Sequence, residues 1–198
     1  MNLLLICEIA CGLPTPEFGA ALAAHIDEKK HPDVRAASLT VWNLLACGMK
    51  QLGFVRLPEV VFEAGGKPRF TNADLCFSLS HSGNLAAVLL SPAPCAVDLE
   101  RLRPAVEARF GGRCLSDAER AAGCGFFECW TKKECIGKLS GKGIPAHPAQ
   151  LDSLDPAYAD RFFIREIQDG CAARYVLTAL CMDGNTPIFQ KKLPEELF

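Results

Sequence analysis

The chain has 198 residues, 49% of them hydrophobic and 22% charged, which suits one domain or two small units packed together and excludes a disordered chain. Its 21 basic and 23 acidic side chains leave a net charge of −2, too little for the overall basic field that nonspecific nucleic-acid binding uses. No apolar run reaches the roughly 20 residues of a membrane span.

From the N-terminus, "MNLLLICEIACGLP" lacks the basic region and small-residue cleavage site of an export signal, so residues 3–9 read as a first buried strand. The pattern predicts a helix over 16–30 and a stronger one over 33–53, which opens at Asp33 and stops at Gly53. "VVFEAGGKPRF" predicts a hairpin turning at Gly-Gly, and "CFSLS" and "LAAVLLS" predict two strands. Pro92 and Pro94 punctuate the middle of the chain. "CAVDLE" then predicts a strand, followed by helices around 104–122 and 126–140. Strands near 161–168 and 172–182 close the pattern across a turn at "QDGCA". The class is α+β. Both halves run strand, helices, then antiparallel strands, which suggests two units, 1–94 and 95–198, with a seam near 91–95.

Eleven cysteines raise the question of a zinc or disulfide framework. The near spacings, Cys7-x3-Cys11, Cys124-x4-Cys129 and Cys129-x5-Cys135, form no C-x2-C knuckle, and the four histidines do not fall beside them. An odd count without an export signal fits reduced thiols used as small core side chains in a cytoplasm. A zinc-stabilised interaction protein is the rival reading.

Three stretches can carry chemistry. In "AVDLE" strand alternation puts Asp98 and Glu100 on one face and Val97 and Leu99 on the other. Two neighbouring carboxylates suit a hard cation such as Mg²⁺. They equally suit a solvated strand end partnered by Arg101 or Arg103. In "FSLSHSG" alternation turns Phe77 and Leu79 inward, and Ser80, His81 and Ser82 crowd donors at a strand end, as a phosphate cradle would. The serines lack the glycine spacing of a nucleophile elbow, which argues against a serine hydrolase. In "FFECWTKKECIGKLSGKG" Glu134 and Lys138 are four apart and share a helix face, the geometry of a surface ion pair or of one wall of a site. "GKLSGKG" is not a P-loop: one spacer and the terminal hydroxyl are missing, and it closes a helix instead of opening one.

In order along residues 65–144, "GGKPRF", "FSLSHSG", "AVDLE" and "CWTKKECIGKLSGKG" resemble the motif set of the surfactin-synthetase-activating class of 4'-phosphopantetheinyl transferases. The resemblance implies two similar α/β lobes with the active site in the cleft between them. It implies Mg²⁺-dependent transfer of phosphopantetheine from coenzyme A to a serine of an apo acyl or peptidyl carrier protein, releasing adenosine 3',5'-bisphosphate. Carried over by motif, Asp98, Glu100 and Glu134 would hold the metal, with Glu134 also the proposed base, and Lys138 would bind the diphosphate. Ser80 and His81 would contact coenzyme A phosphates, and Lys67 would lie along the nucleotide. Lys29, Lys30 and Arg35 are the candidates for the 3'-phosphate, in a basic region thinner than the family's. "RCLSDAER" resembles a further motif and aligns Glu119 with an acid that assists the metal or the carrier-facing loop, while Lys133 is either structural or faces the nucleotide. Ala96 stands where the family has glycine, and Cys114 where it has an aromatic residue. The two lobes of the resemblance imply a monomer, while the charge balance, the cysteine usage and the lack of a long apolar run predict a cytoplasmic protein without nucleic-acid or membrane partners. A non-catalytic coenzyme A or carrier-protein binder of the same fold is the alternative.

Overall fold

The computed structural model describes residues 1–197. Among the described residues nine strands and five α-helices build two sheets, a hairpin and the helices that cover them. Strand β1 (Leu3–Glu8) leads into α1 (Ala20–Asp27) and α2 (Pro32–Gln51), and β2 (Val60–Phe62) and β3 (Pro68–Phe70) form the hairpin. Next come β4 (Cys76–Ser82), β5 (Leu85–Ser91) and β6 (Cys95–Arg101). Helices α3 (Pro104–Cys114), α4 (Asp117–Ala121) and α5 (Phe126–Ser140) precede β7 (Phe162–Gln168), β8 (Arg174–Cys181) and β9 (Ile188–Lys192).

The first sheet has the order β4-β5-β1-β9 and the second β6-β8-β7. Its hydrophobic composition lets β1 be buried on both sides. Leu3, Leu5 and Cys7 join the core beneath α1 and α2, while Leu4 and Ile6 meet Val97, Leu99 and Leu177 of the second sheet. β5 divides the same way, with Val88 and Leu90 toward the helices and Leu85 and Leu89 toward the other sheet. On the far face of the second sheet, Ala96 and Leu180 pack against Cys135 and Ile136 of α5. The layers therefore run helices, sheet, sheet, helix. Each fully buried leucine, such as Leu44 or Leu45 of α2, contributes about 1.5–3 kcal/mol of transfer free energy.

Local chemistry explains where the elements stop. Pro32 at the start of α2 restricts His31 before it to extended backbone, so α1 and α2 are separate helices. α1 begins at residue 20 instead of the expected 16 because Gly19 sits at φ 94°, outside helical geometry. The helix expected over 104–122 is two: Ser116 caps α4, its side chain accepting from the Glu119 amide while the Glu119 carboxylate accepts from the Ser116 amide. Gly141 ends α5 in the left-handed conformation at φ 71°.

Sequence patterning did not reveal β9. It pairs parallel with β1, Leu3 opposite Ile188, so the last strand completes the first sheet. The Asn2 side chain fixes the approach, donating to Asp183 Oδ1 at 2.9 Å and to the Asn185 carbonyl at 2.8 Å. Residues 92–94 carry the chain from the first sheet to the second. Among the described residues no helix is long and apolar enough to cross a membrane. All eleven cysteines are free thiols, and six of them are buried, where burial raises the pKa of Cys7 to about 11 and that of Cys129 to about 12.

Candidate active site

Strand β6 presents Asp98 and Glu100 on the face that receives α5, opposite to Val97 and Leu99, as alternation requires. α5 is held there by its own polar contacts. Thr131 Oγ1 lies 2.7 Å from Thr178 Oγ1 of β8, and the Cys135 thiol donates to the Thr178 carbonyl at 3.3 Å. That docking brings Glu134 and Lys138, one turn apart, to the two acids. Asp98, Glu100, Glu134 and Lys138 all line one cavity of about 570 Å³. Ser80, Ser82 and His81 of β4, Arg103, Trp130 and Lys29 line it too.

The cavity gathers three carboxylates, Asp98, Glu100 and Glu134, among three cations, Lys29, Arg103 and Lys138. Burial raises the pKa of Glu134, and the charges of Asp98 and Glu100 push the same way against Lys138. The Lys138 ammonium donates to Asp98 Oδ1 at 2.6 Å and to the Val97 carbonyl at 2.9 Å. Arg103 stands 3.6 Å from Glu100 Oε1, so of the two arginines weighed as partners for these acids it is the one that pairs. The solvated strand end does not describe Asp98, which is only 6% exposed. Oxygen donors of this kind and number fit a hard divalent cation. As the side chains stand, no group of three metal-ligating residues among the described ones is close enough to hold an ion, and at Asp98 it is Lys138 that supplies the positive charge.

The remaining predicted residues divide. His81 lies on the cavity wall, where desolvation, then the charges of Lys138 and Lys29, lower its pKa and keep the imidazole neutral near pH 7. Ser80 is 9% exposed and its hydroxyl is already engaged, accepting from the Leu99 amide at 3.1 Å and donating to Asp98 Oδ1 at 3.0 Å. Lys67 sits in an adjoining cavity of about 250 Å³ that shares Lys138 with the first. Its ammonium donates to the Leu139 carbonyl at 3.0 Å, capping the end of α5. There the "GGK" turn meets "GKG" closely: a side chain at Gly65 would stand 3.0 Å from the Gly141 carbonyl oxygen. Of the three N-terminal cations only Lys29 reaches the large cavity. Lys30 donates to the Asp27 carbonyl and Arg35 to the Ile26 carbonyl, both closing the end of α1.

Glu119 and Lys133 lie outside both cavities. They form an ion pair at 2.8 Å with neither side chain exposed. Lys133 also donates to the carbonyls of Cys114 and Pro148, and Glu119 accepts from the amides of Ser116 and Ser153, so the pair ties α5 to the segment before α4 and to the one that follows α5. Of the two roles open to Lys133, this is the structural one. Residues that motif reading missed include His25, stacked on Phe62 at 4.6 Å, and Trp42, both in the cavity wall. Only the fold brings these separate segments together, and no local pattern marks them.

No family model matches the chain. It is similar to the 4'-phosphopantetheinyl transferase AcpT of Salmonella typhimurium, 38% identical over 113 residues, which are 51% of this chain and 58% of the relative. It is similar also to the 4'-phosphopantetheinyl transferase psf-1 of Bacillus pumilus, 30% identical over 138 residues, 52% of this chain and 59% of the relative. A third relative is the 4'-phosphopantetheinyl transferase HetI of Nostoc sp. (strain PCC 7120), 33% identical over 126 residues, 50% and 52% of the two chains. Each match spans between half and six-tenths of the relative's own length.

Proposed function

We propose that the chain is a 4'-phosphopantetheinyl transferase of the surfactin-synthetase-activating class, moving phosphopantetheine from coenzyme A to a serine of an apo acyl or peptidyl carrier protein. The observation that carries the reading is the meeting of Asp98, Glu100, Glu134 and Lys138 from two distant segments in one cavity. The names of three relatives support the reaction class. In this reading the chain forms two similar α/β lobes, 1–94 and 95–198, with the site between them. It acts as a cytoplasmic monomer with coenzyme A and the carrier as its partners.

Asp98, Glu100 and Glu134 would hold Mg²⁺. When bound, it supplies positive charge to the diphosphate and to the leaving bisphosphate. Lys138 leaves Asp98 for the diphosphate and keeps one of its oxygens oriented. The carrier serine oxygen bonds to the phosphorus that bears the pantetheine arm, and the bond from that phosphorus to adenosine 3',5'-bisphosphate breaks. Glu134 takes the serine proton, directly or through water. His81 and Lys29, which also line the cavity, would contact the phosphates, with His81 gaining a proton as anionic charge arrives. Lys67, Lys30 and Arg35 support the hairpin, α1 and α5 and add to the local positive field, and Ser80 contacts the phosphates only if its hydroxyl is released from Asp98.

Incubation with apo carrier, coenzyme A and Mg²⁺, followed by intact mass spectrometry of the carrier, tests the reading. A phosphopantetheine adduct is expected, with Asp98→Ala and Glu134→Ala reducing its rate at least about 100-fold while the fold is retained. Tight coenzyme A binding without an adduct on any carrier type would instead support the non-catalytic alternative.

A further inference from the structure

Three serines two apart on β4 meet the open edge of β6. Antiparallel pairing with β8 uses the backbone groups of alternate β6 residues, so the others turn their amides away from β8. Each of these amides finds a serine oxygen: Val97 donates to Ser78 at 3.0 Å, Leu99 to Ser80 at 3.1 Å and Arg101 to Ser82 at 3.1 Å. A serine oxygen fixed as an acceptor keeps one hydrogen to donate. Ser80 donates to Asp98 Oδ1 at 3.0 Å, and Ser82 to Glu100 Oε2 at 2.5 Å. On the third rung the corresponding β6 residue is Ala96, so Ser78 accepts the same kind of amide bond with no carboxylate to serve.

We propose that Ser80 and Ser82 are positioning residues, each anchored by a β6 amide so that its hydroxyl holds one oxygen of the neighbouring carboxylate and leaves the other for a cation. The pattern at Asp98 is specific. Ser80 and Lys138 both bond Oδ1, and Oδ2 receives no hydrogen bond from the described residues. At Glu100, Oε2 takes Ser82 and the Arg101 amide, while among the described residues Oε1 pairs with Arg103 alone. The hydroxyl that motif reading assigned to a phosphate is thereby given to the acid. A charge-assisted bond of this kind fixes rotamers that would otherwise be free, and losing such support typically weakens a metal site by about 10–100-fold. This inference rests on the reading of Asp98 and Glu100 as cation ligands.

The test is Mn²⁺ affinity of the full chain, read by electron paramagnetic resonance, with circular dichroism as the check on folding. Ser80→Ala and Ser82→Ala are expected to weaken binding by about 10–100-fold, and Ser82→Thr, which keeps the hydroxyl, to restore most of it. Ser78→Ala, which loses the same backbone acceptor but no carboxylate contact, is expected to bind as the wild type does. Ser82 lies at the end of its strand, so its variants serve even where Ser80→Ala fails to fold. Wild-type affinity in both alanine variants, or an equal loss in Ser78→Ala, overturns the inference while Asp98→Asn still abolishes binding. Wild-type affinity in Asp98→Asn, or no Mn²⁺ bound by the wild type, overturns the cation-site reading itself.

Discussion

Lys133 offers three ammonium donors and the structure satisfies all three, with Glu119 Oε2 and the carbonyls of Cys114 and Pro148. Removing one partner would leave the other charged and unpaired in the interior, which costs about 3–5 kcal/mol. Glu119→Ala is therefore expected to lower the urea midpoint by that equivalent. Glu119→Ala combined with Lys133→Met should lose less than the sum of the two single losses. The pair also sets an acid limit. Burial alone would raise the Glu119 pKa, but the bonds from Lys133, Ser153 and Ser116 outweigh it and bring it from 4.5 to about 2. Because the folded value is depressed, this stabilisation is complete above about pH 4.5 and is lost as pH falls toward 2. Urea midpoints between those limits should fall more steeply for the wild type than for Glu119→Gln; parallel curves would contradict the assignment. Motif alignment pointed Glu119 toward the metal or the carrier-facing loop, because sequence shows an acid's spacing and not its partner. The capping-box pattern Ser116-x-x-Glu119 was the legible sign of its structural use.

Helix α5, which carries Glu134 and Lys138, is fastened at its C-terminal end by a close glycine contact. Gly137 faces Gly143 so closely that a side chain there would stand 2.8 Å from backbone atoms, and the Gly143 amide donates to the Gly137 carbonyl at 3.2 Å. Gly137→Ala must push the 141–143 turn away, for about 1–3 kcal/mol. It is expected to lower the melting temperature and to slow transfer by moving Lys138; a variant as stable and active as the wild type would contradict the close approach. Most elements were legible in sequence, since β4, β5 and β6 show strand composition between turn residues and α2 and α5 carry proline or glycine boundaries. β9 was not. "IFQKK" is short and half charged at its end, and the partner that makes it a strand, β1, lies at the other end of the chain. The alternation that put Asp98 beside Glu100 and the four-residue spacing that aligned Glu134 with Lys138 are local, so this half of the site could be read. The bonds that engage Ser80, Lys67 and Arg35 come from other elements, and no spacing along the chain encodes them.

Across the whole molecule, net charge is nearly balanced while the cavity concentrates three carboxylates against Lys138, Arg103 and Lys29. Neighbouring carboxylates repel one another unless cations stand between them, and such a gathering of charged groups in one cavity marks a site more than a packing defect. The most direct measurement follows the small product. With wild-type protein, coenzyme A, Mg²⁺ and apo carrier, adenosine 3',5'-bisphosphate released into solution should equal the carrier modified, mole for mole. Release should fall together with modification in Glu134→Gln. Carrier bound without bisphosphate release, or release unchanged in Glu134→Gln, would contradict the account.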